Sequence, residues 1–282
     1  MPTVTTNTAA NSALRFLNYN SMQSGKSVSK LASGSRIVQA SDDAAGLAIG
    51  TRLNSDVTVL RQSAINASQG GSIMAVADGG LARIADVLQR LKALAAQSLS
   101  GVPTDTERGF IDAEFQSLLA EIDGMAATTR FNGDSLLDGT TTQQSYFVGT
   151  DPTDVILVDF SSFGGTGITN FSTSTSGGLS LSVEAVSTAV SATAAMTAVD
   201  TAIDVISEAR ANVGAILSRF EFRGQQINTA LENVAAARSA IMDVDLAEEQ
   251  SKLVSSQVLV QASVSALSQA NQLPQSLLSL LQ

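Results

Sequence analysis

Apolar side chains recur at every seventh position along two long stretches of this chain. In the first half Leu53, Leu60, Ala67, Met74, Leu81, Leu88 and Ala95 keep the interval, with Val57, Ala64, Gly71 and Ala85 four residues further on. In the second half Val199, Ile206, Val213, Phe220, Ile227, Val234 and Ile241 keep it, with Ile203, Leu217 and Leu231 as companions. This repeat is the seam of a coiled coil. At about 1.5 Å per residue, a helix from Leu53 to Gln97 runs roughly 65 Å, far longer than a compact domain requires. A heptad stripe left in water forfeits about 1.5–3 kcal/mol per exposed Leu or Ile, so the two halves need each other. The expected fold is mainly α: long antiparallel coiled-coil helices from both chain halves forming a rod, with a small β-hairpin element where the chain turns back in the middle.

Helix punctuation divides the rest. Ser33-Gly34-Ser35 interrupts a first helix, and Ser41-Asp42-Asp43-Ala44 offers a cap and first-turn acids for the next. Gly101-Val102-Pro103-Thr104-Asp105 ends the long helix and starts another over about Asp105 to Thr128. The period then changes: Tyr146 to Gly149 and Val155 to Phe160 read as short strands, and Ser161 to Gly178, rich in Ser, Thr and Gly, as an exposed loop or hairpin. Within it Gly164-Gly165-Thr166-Gly167 reads as a turn, since no helix signature follows to hold a phosphate.

The ends carry almost no charge. No Asp, Glu, Lys or Arg occurs from Leu253 to Gln282, and the first charged side chain of the chain is Arg15. Recurrent Ser, Gln and Asn and the interruption at Pro274 argue against a membrane span. Leu14, Leu17, Val28 and Leu31 near one end, and Leu246, Leu253, Val260 and Leu267 near the other, keep helical spacing. Such ends suit burial against other protein. The absence of His and Cys removes the usual physiological-pH base, thiol nucleophiles, disulfides and most zinc sites. A net charge of −10 disfavours nucleic acid and anionic membrane surfaces. The opening Met1 to Asn7 has neither the basic nor the apolar region of a secretory signal. Gly25-Lys26-Ser27 lacks the glycine at position 20 that a phosphate loop needs, so Lys26 reads as a polar-face residue and Gly25 as a site of close packing. The carboxylates of Asp42-Asp43, Asp243 and Asp245, and Glu248-Glu249 read as N-terminal helix charge rather than as acid–base or metal groups. No enzyme activity, metal or cofactor is expected.

Several segments resemble a known family. Leu31-Ala32-Ser33-Gly34-Ser35-Arg36-Ile37, followed by Ala40 to Ile49, is similar to the N-terminal signature of bacterial flagellins. Arg130-Phe131-Asn132-Gly133 resembles that family's turn, and Gln269 to Leu281 resembles its C-terminus. The resemblance covers roughly residues 1–140 and 185–282. It implies a subunit that polymerises into the flagellar filament, the propeller of swimming motility, outside the cell. The alternative is a hook–filament junction protein. It further implies an inner-tube domain (D0) from residues 1–43 and 243–282, a helical outer-tube domain (D1) from 44–140 and 185–242, and a short variable segment at 141–184. Leu14, Leu17, Val28, Leu31, Leu253, Val260, Leu267, Leu277, Leu280 and Leu281 are the residues expected to pack the filament core, with the terminal segments ordering on assembly. The implied partners are other flagellin subunits, the flagellar cap, hook–filament junction proteins and an export chaperone, with export through the flagellar type III system and no cleaved signal. Leu88 to Ser98 resembles the segment through which the innate immune receptor TLR5 recognises some flagellins, departing from it at Ala93 and Ala96. The corresponding face is Gln89, Arg90, Leu94, Gln97 and Glu114. No nucleic acid and no membrane insertion are expected.

Overall fold

The computed structural model describes residues 7–141, 143–165, 168–174 and 177–280, the last eight of these as backbone only. Five helices dominate: α1 (Thr8–Ser33), α2 (Ala44–Leu99), α3 (Asp105–Thr128), α4 (Ala189–Met242) and α5 (Leu246–Leu280). Between α3 and α4 lie the strands β1 (Arg130–Phe131), β2 (Asp134–Ser135), β3 (Gln143–Phe147) and β4 (Val155–Asp159). The chain divides into two compact units, Met1–Val57 with Glu232–Gln282, and Thr58–Leu231.

In the Thr58–Leu231 unit the seven-residue stripe is the core. Leu60, Ala67, Met74, Leu81, Leu88 and Ala95 are buried on α2, and Val199, Ile206, Val213, Phe220 and Ile227 on α4. The companion register differs from the expected one. Val57 is buried as expected, but from Leu60 onward on α2 and after Val199 and Ile206 on α4 the buried partners stand three residues after the first position, not four: Ser63, Gly70, Ala77, Ile84, Leu91 and Ser98 on α2, and Ala202 and Ala209 on α4. Ala64, Gly71, Ala85, Ile203, Leu217 and Leu231 are only half-buried. Steps of three and four alternate in either register, and the run of small residues gave the sequence no contrast by which to choose. α2 and α4 run antiparallel: Lys92 pairs with Asp200, Arg210 Nε donates to Asp78 at 2.9 Å, and the backbone at Gly70 lies against the Phe220 ring. A Cβ at Gly70 would overlap that ring, which also meets Tyr146 edge-on at 5.4 Å. α4 is long and apolar enough, by length and composition, to cross a membrane; here Val199, Ile206, Val213, Phe220 and Ile227 of its stripe are buried.

α3 buries Ile111, Phe115, Leu119, Ile122 and Ala126, the i, i+4 face of an amphipathic helix, and begins at Thr104, the predicted break. β1 and β2 form a hairpin across Asn132 (φ 53°) and Gly133 (φ 94°), the left-handed pair that a two-residue turn requires. β3 and β4 pair antiparallel from Gln143↔Asp159 to Phe147↔Val155, with Ile156 and Val158 buried and Leu157 exposed, a period of two. The first of these strands starts earlier than expected and stops before Val148 and Gly149. Those two residues enter a turn in which the Asp154 carboxylate accepts from the amides of Thr150 and Asp151.

The segment from Ser161 to Gly178 is not the exposed loop its composition suggests, although residues 166–167 and 175–176 lie outside the described residues. Phe163, Phe171 and Thr173 are buried. The Asp123 carboxylate accepts from the amide and hydroxyl of Thr173 (2.6 and 2.9 Å), and Asn212 donates to the Phe163 carbonyl (3.0 Å). Further along, Val186 is held at both ends of its peptide group, its amide by Asp112 (2.7 Å) and its carbonyl by the buried Ser98 hydroxyl (2.6 Å). Helix side chains thus supply the hydrogen bonds that an irregular buried backbone must find.

Candidate assembly interface

The other unit is built on the pairing of α1 with α5. α1 ends where Gly34 takes a left-handed φ of 69°, and α2 starts where Asp43 accepts from the Gly46 amide at 2.8 Å. The linker between them is tied to the short α4–α5 connection. Arg36 N donates to the Met242 carbonyl (2.7 Å), Val244 N to the Gly34 carbonyl (3.1 Å), and the Arg36 side chain to the Ile241 carbonyl (3.1 Å). Ser35 and Asp243 form a single antiparallel bridge. Backbone hydrogen bonds from Val38 and Gln39 reach Asp42, and the one from Gln39 does most to hold its carboxyl below the usual range.

From this clamp α1 and α5 run together, and Asn7 Nδ2 reaches the Ala270 carbonyl at 2.8 Å. The facing positions alternate by three and four: Ala13, Leu17, Asn20, Ser24, Ser27 and Leu31 on α1, and Leu253, Ser256, Val260, Ser263, Leu267 and Ala270 on α5. Half of these twelve are Ala or Ser and five are Leu or Val, and Asn20 donates to Ser263 across the seam. Larger side chains point away from it: Leu14, Phe16, Tyr19, Met22 and Val28 on α1, and Val254, Val258, Leu259 and Val264 on α5, are 46–62% exposed. On α5 charge is confined to the clamp end, where Lys252 bonds Glu248 at 2.7 Å and that hydrogen bond raises the lysine pKa, whereas α1 carries Lys26, Lys30 and, over the Phe16 ring, Arg15.

The residues expected to pack a filament core thus fall into two groups. Leu17, Leu31, Leu253, Val260 and Leu267 are half-buried and lie in the α1–α5 seam within the subunit, whereas Leu14 and Val28 are exposed beside it. The side chains of Leu277 and Leu280, and the whole of Leu281, lie outside the described residues. Sequence periodicity missed Phe16, Tyr19, Met22, Val258 and Leu259, which fall off the seven-residue rows; a large apolar residue on a helical polar face was the available signal. Gly25, expected to allow close packing, has open space around it within the subunit.

In the Thr58–Leu231 unit, Gln89, Arg90, Gln97 and Glu114 are exposed, and Arg90 Nε donates to Glu114 at 3.0 Å. Leu94, expected on the same face, is 1% exposed and belongs to the helix core. On α2 it stands one residue before the heptad position Ala95, on the row shared with Ile73, so it cannot touch a partner at that surface.

Comparison with known proteins agrees with this architecture. Residues 4–142 match the model of the bacterial flagellin N-terminal helical region, and residues 196–281 that of the C-terminal helical region. The chain is 34% identical to a flagellin of Halalkalibacterium halodurans, covering 98% of each chain, and 37% identical to a flagellin of Listeria monocytogenes, covering 99% of each. A flagellar filament core protein of Treponema phagedenis is 33% identical over 98% of both chains. Two terminal helical regions, matched in order and continuous with relatives along nearly the full length, place the chain in the family of bacterial flagellins, the structural subunits of the flagellar filament.

Proposed function

We propose that this chain polymerises into the filament through the terminal helix pair, its outward apolar faces becoming buried between neighbouring subunits as the pair orders on assembly. One observation carries the reading: the α1–α5 seam joins mostly Ala, Ser and Asn, while Phe16, Tyr19, Met22, Val258 and Leu259 stand in solvent. A seam that joins five Leu and Val side chains with small and polar ones gains less from pairing than a fully apolar one, and most helical stability in proteins comes from packing an apolar face rather than from propensity. Neighbouring subunits supply the missing partner surface. The lack of charge beyond Lys252 spares the buried polymer interior unpaired ions, each of which would cost several kcal/mol.

The assignment of residues 1–43 with 243–282 to an inner tube, and of 44–140 with 185–242 to an outer tube, belongs to this proposal. So do export through the flagellar type III system and contacts with the flagellar cap, the hook–filament junction and an export chaperone. Recognition by an innate receptor would use Gln89, Arg90, Gln97 and Glu114 without Leu94, and would have to accommodate the Arg90–Glu114 pair. The role proposed is structural, not catalytic. A hook–filament junction protein is not favoured, since the matching relatives are flagellins.

Electron microscopy of seeded protein, with limited proteolysis before and after, tests the reading. Long tubes in which residues up to about 40 and beyond about 245 change from protease-labile to protected are expected. Short closed oligomers, or ends already resistant in the monomer, would overturn it.

A further inference from the structure

The chain has no cysteine, so the thioethers of its six methionines are its only sulfur groups. Among the described residues these differ sharply in access. Met74 is fully buried in the helix core, and Met125, Met196 and Met242 are half-buried, the last packed over the backbone of Gly50. Met22 is 57% exposed. It stands on α1 half a turn away from the seam residues Leu17, Asn20 and Ser24, next to Tyr19, at the lip of a groove that runs past Gly25 to Val38 and Asp42. An unbranched, polarizable thioether adapts well to an irregular apolar contact, but only while it remains a thioether.

We propose that Met22 is an oxidation site that controls entry of the subunit into the polymer. The inference rests on the assembly reading above, in which the outward face of α1 is covered by a second copy of the chain. A hydroperoxide is the oxidant. The sulfur lone pair attacks one peroxide oxygen, the S–O bond forms as the O–O bond breaks, and the departing oxygen takes the proton and leaves as water or an alcohol. Sulfur loses two electrons and the peroxide gains them. The product sulfoxide is a strong hydrogen-bond acceptor, and covering it with apolar side chains leaves that acceptor unpaired. A methionine sulfoxide reductase reverses the change. The same geometry works in the other direction: once a neighbouring subunit covers Met22, the sulfur is shielded.

The test exposes monomer and preformed polymer of the full chain to hydrogen peroxide, locates added oxygen by peptide mass spectrometry, and measures polymer by sedimentation. In the monomer Met22 is expected to oxidise about tenfold or more faster than Met74, and in the polymer about tenfold or more slowly than in the monomer. Peroxide-treated wild type is expected to sediment poorly and to recover after reductase treatment, while Met22→Leu polymerises equally with and without peroxide. Equal rates at Met22 and Met74, equal rates in monomer and polymer, or normal assembly of protein oxidised at Met22 would each overturn the inference. If Met22→Leu itself fails to assemble, the reductase recovery of wild type decides the matter. Untreated wild type that never polymerises would sink the assembly reading as well, which separates the two failures.

Discussion

Thr104 and Glu107 complete each other at the start of α3: the Thr104 hydroxyl accepts from the Glu107 amide at 3.4 Å, and the Glu107 carboxylate accepts from the Thr104 amide at 2.7 Å. That amide hydrogen bond is the chief reason the Glu107 pKa lies below the ordinary glutamate value. A carboxyl whose folded pKa is depressed stabilises the fold above its unfolded pKa, and the contribution disappears as the pH falls through the folded value. Protection of the amides in the first turn of α3, taken as exchange relative to the intrinsic rate at each pH, is therefore expected to fall as the pH drops from about 6 to about 3, and Glu107→Gln is expected to flatten that local step. Thr104→Ala removes the hydroxyl acceptor and is expected to cost about 1 kcal/mol, read as a lower midpoint in denaturant. The cap was visible in the sequence as Thr, two residues, then Glu after a Gly and a Pro. The Asp123–Thr173 contact was not, because 50 residues separate partners that carry no pattern in common.

At the level of elements, α1 shows which of its faces does what. Phe16→Asp places a charge on the outward face and leaves the seam intact; it is expected to leave the thermal unfolding of the helical core unchanged while abolishing sedimentable polymer. Assembly of Phe16→Asp at the wild-type level would show that this face is not an interface. How far such elements could be read beforehand depended on contrast along the chain. The stripes Leu60 to Ala95 and Val199 to Ile227 were legible, because large apolar residues stand alone among Ala, Ser and Gln. The start of α2 at Asp43 and the extent of α3 were legible from capping chemistry. The companion register was not: Ala64 and Ala67, or Gly70 and Gly71, are interchangeable by composition, and only packing against Phe220 separates them. The anchored segment around Phe163 and Phe171 was hidden by its Ser/Thr/Gly content, since two aromatic anchors outweigh many solvated hydroxyls once a helix offers them a site.

Over the whole molecule, charge is unevenly shared. The Thr58–Leu231 unit carries nine basic and eighteen acidic side chains, against seven and eight in the unit holding the chain ends. Copies brought side by side repel through the former, and screening over a Debye length of about 10 Å at 0.1 M salt relieves that repulsion. The critical concentration for polymer is thus expected to fall as salt rises from about 0.02 to about 0.3 M, and sedimentation across a salt series checks it; a flat series would place the acidic side chains away from subunit contacts. The clamp at Ser35 and Asp243 has a different consequence, one of chain statistics. Asn7 and Ala270 meet across 263 residues of sequence, and closing a loop of that length in a free chain costs on the order of 5 kcal/mol of entropy. With Gly34 and Val244 already joined, α1 and α5 begin within a few residues of that joint, so each arm sees the other as a tethered neighbour at high effective concentration. The arms can then close turn by turn from the joint outward, in a single alignment, without searching for each other.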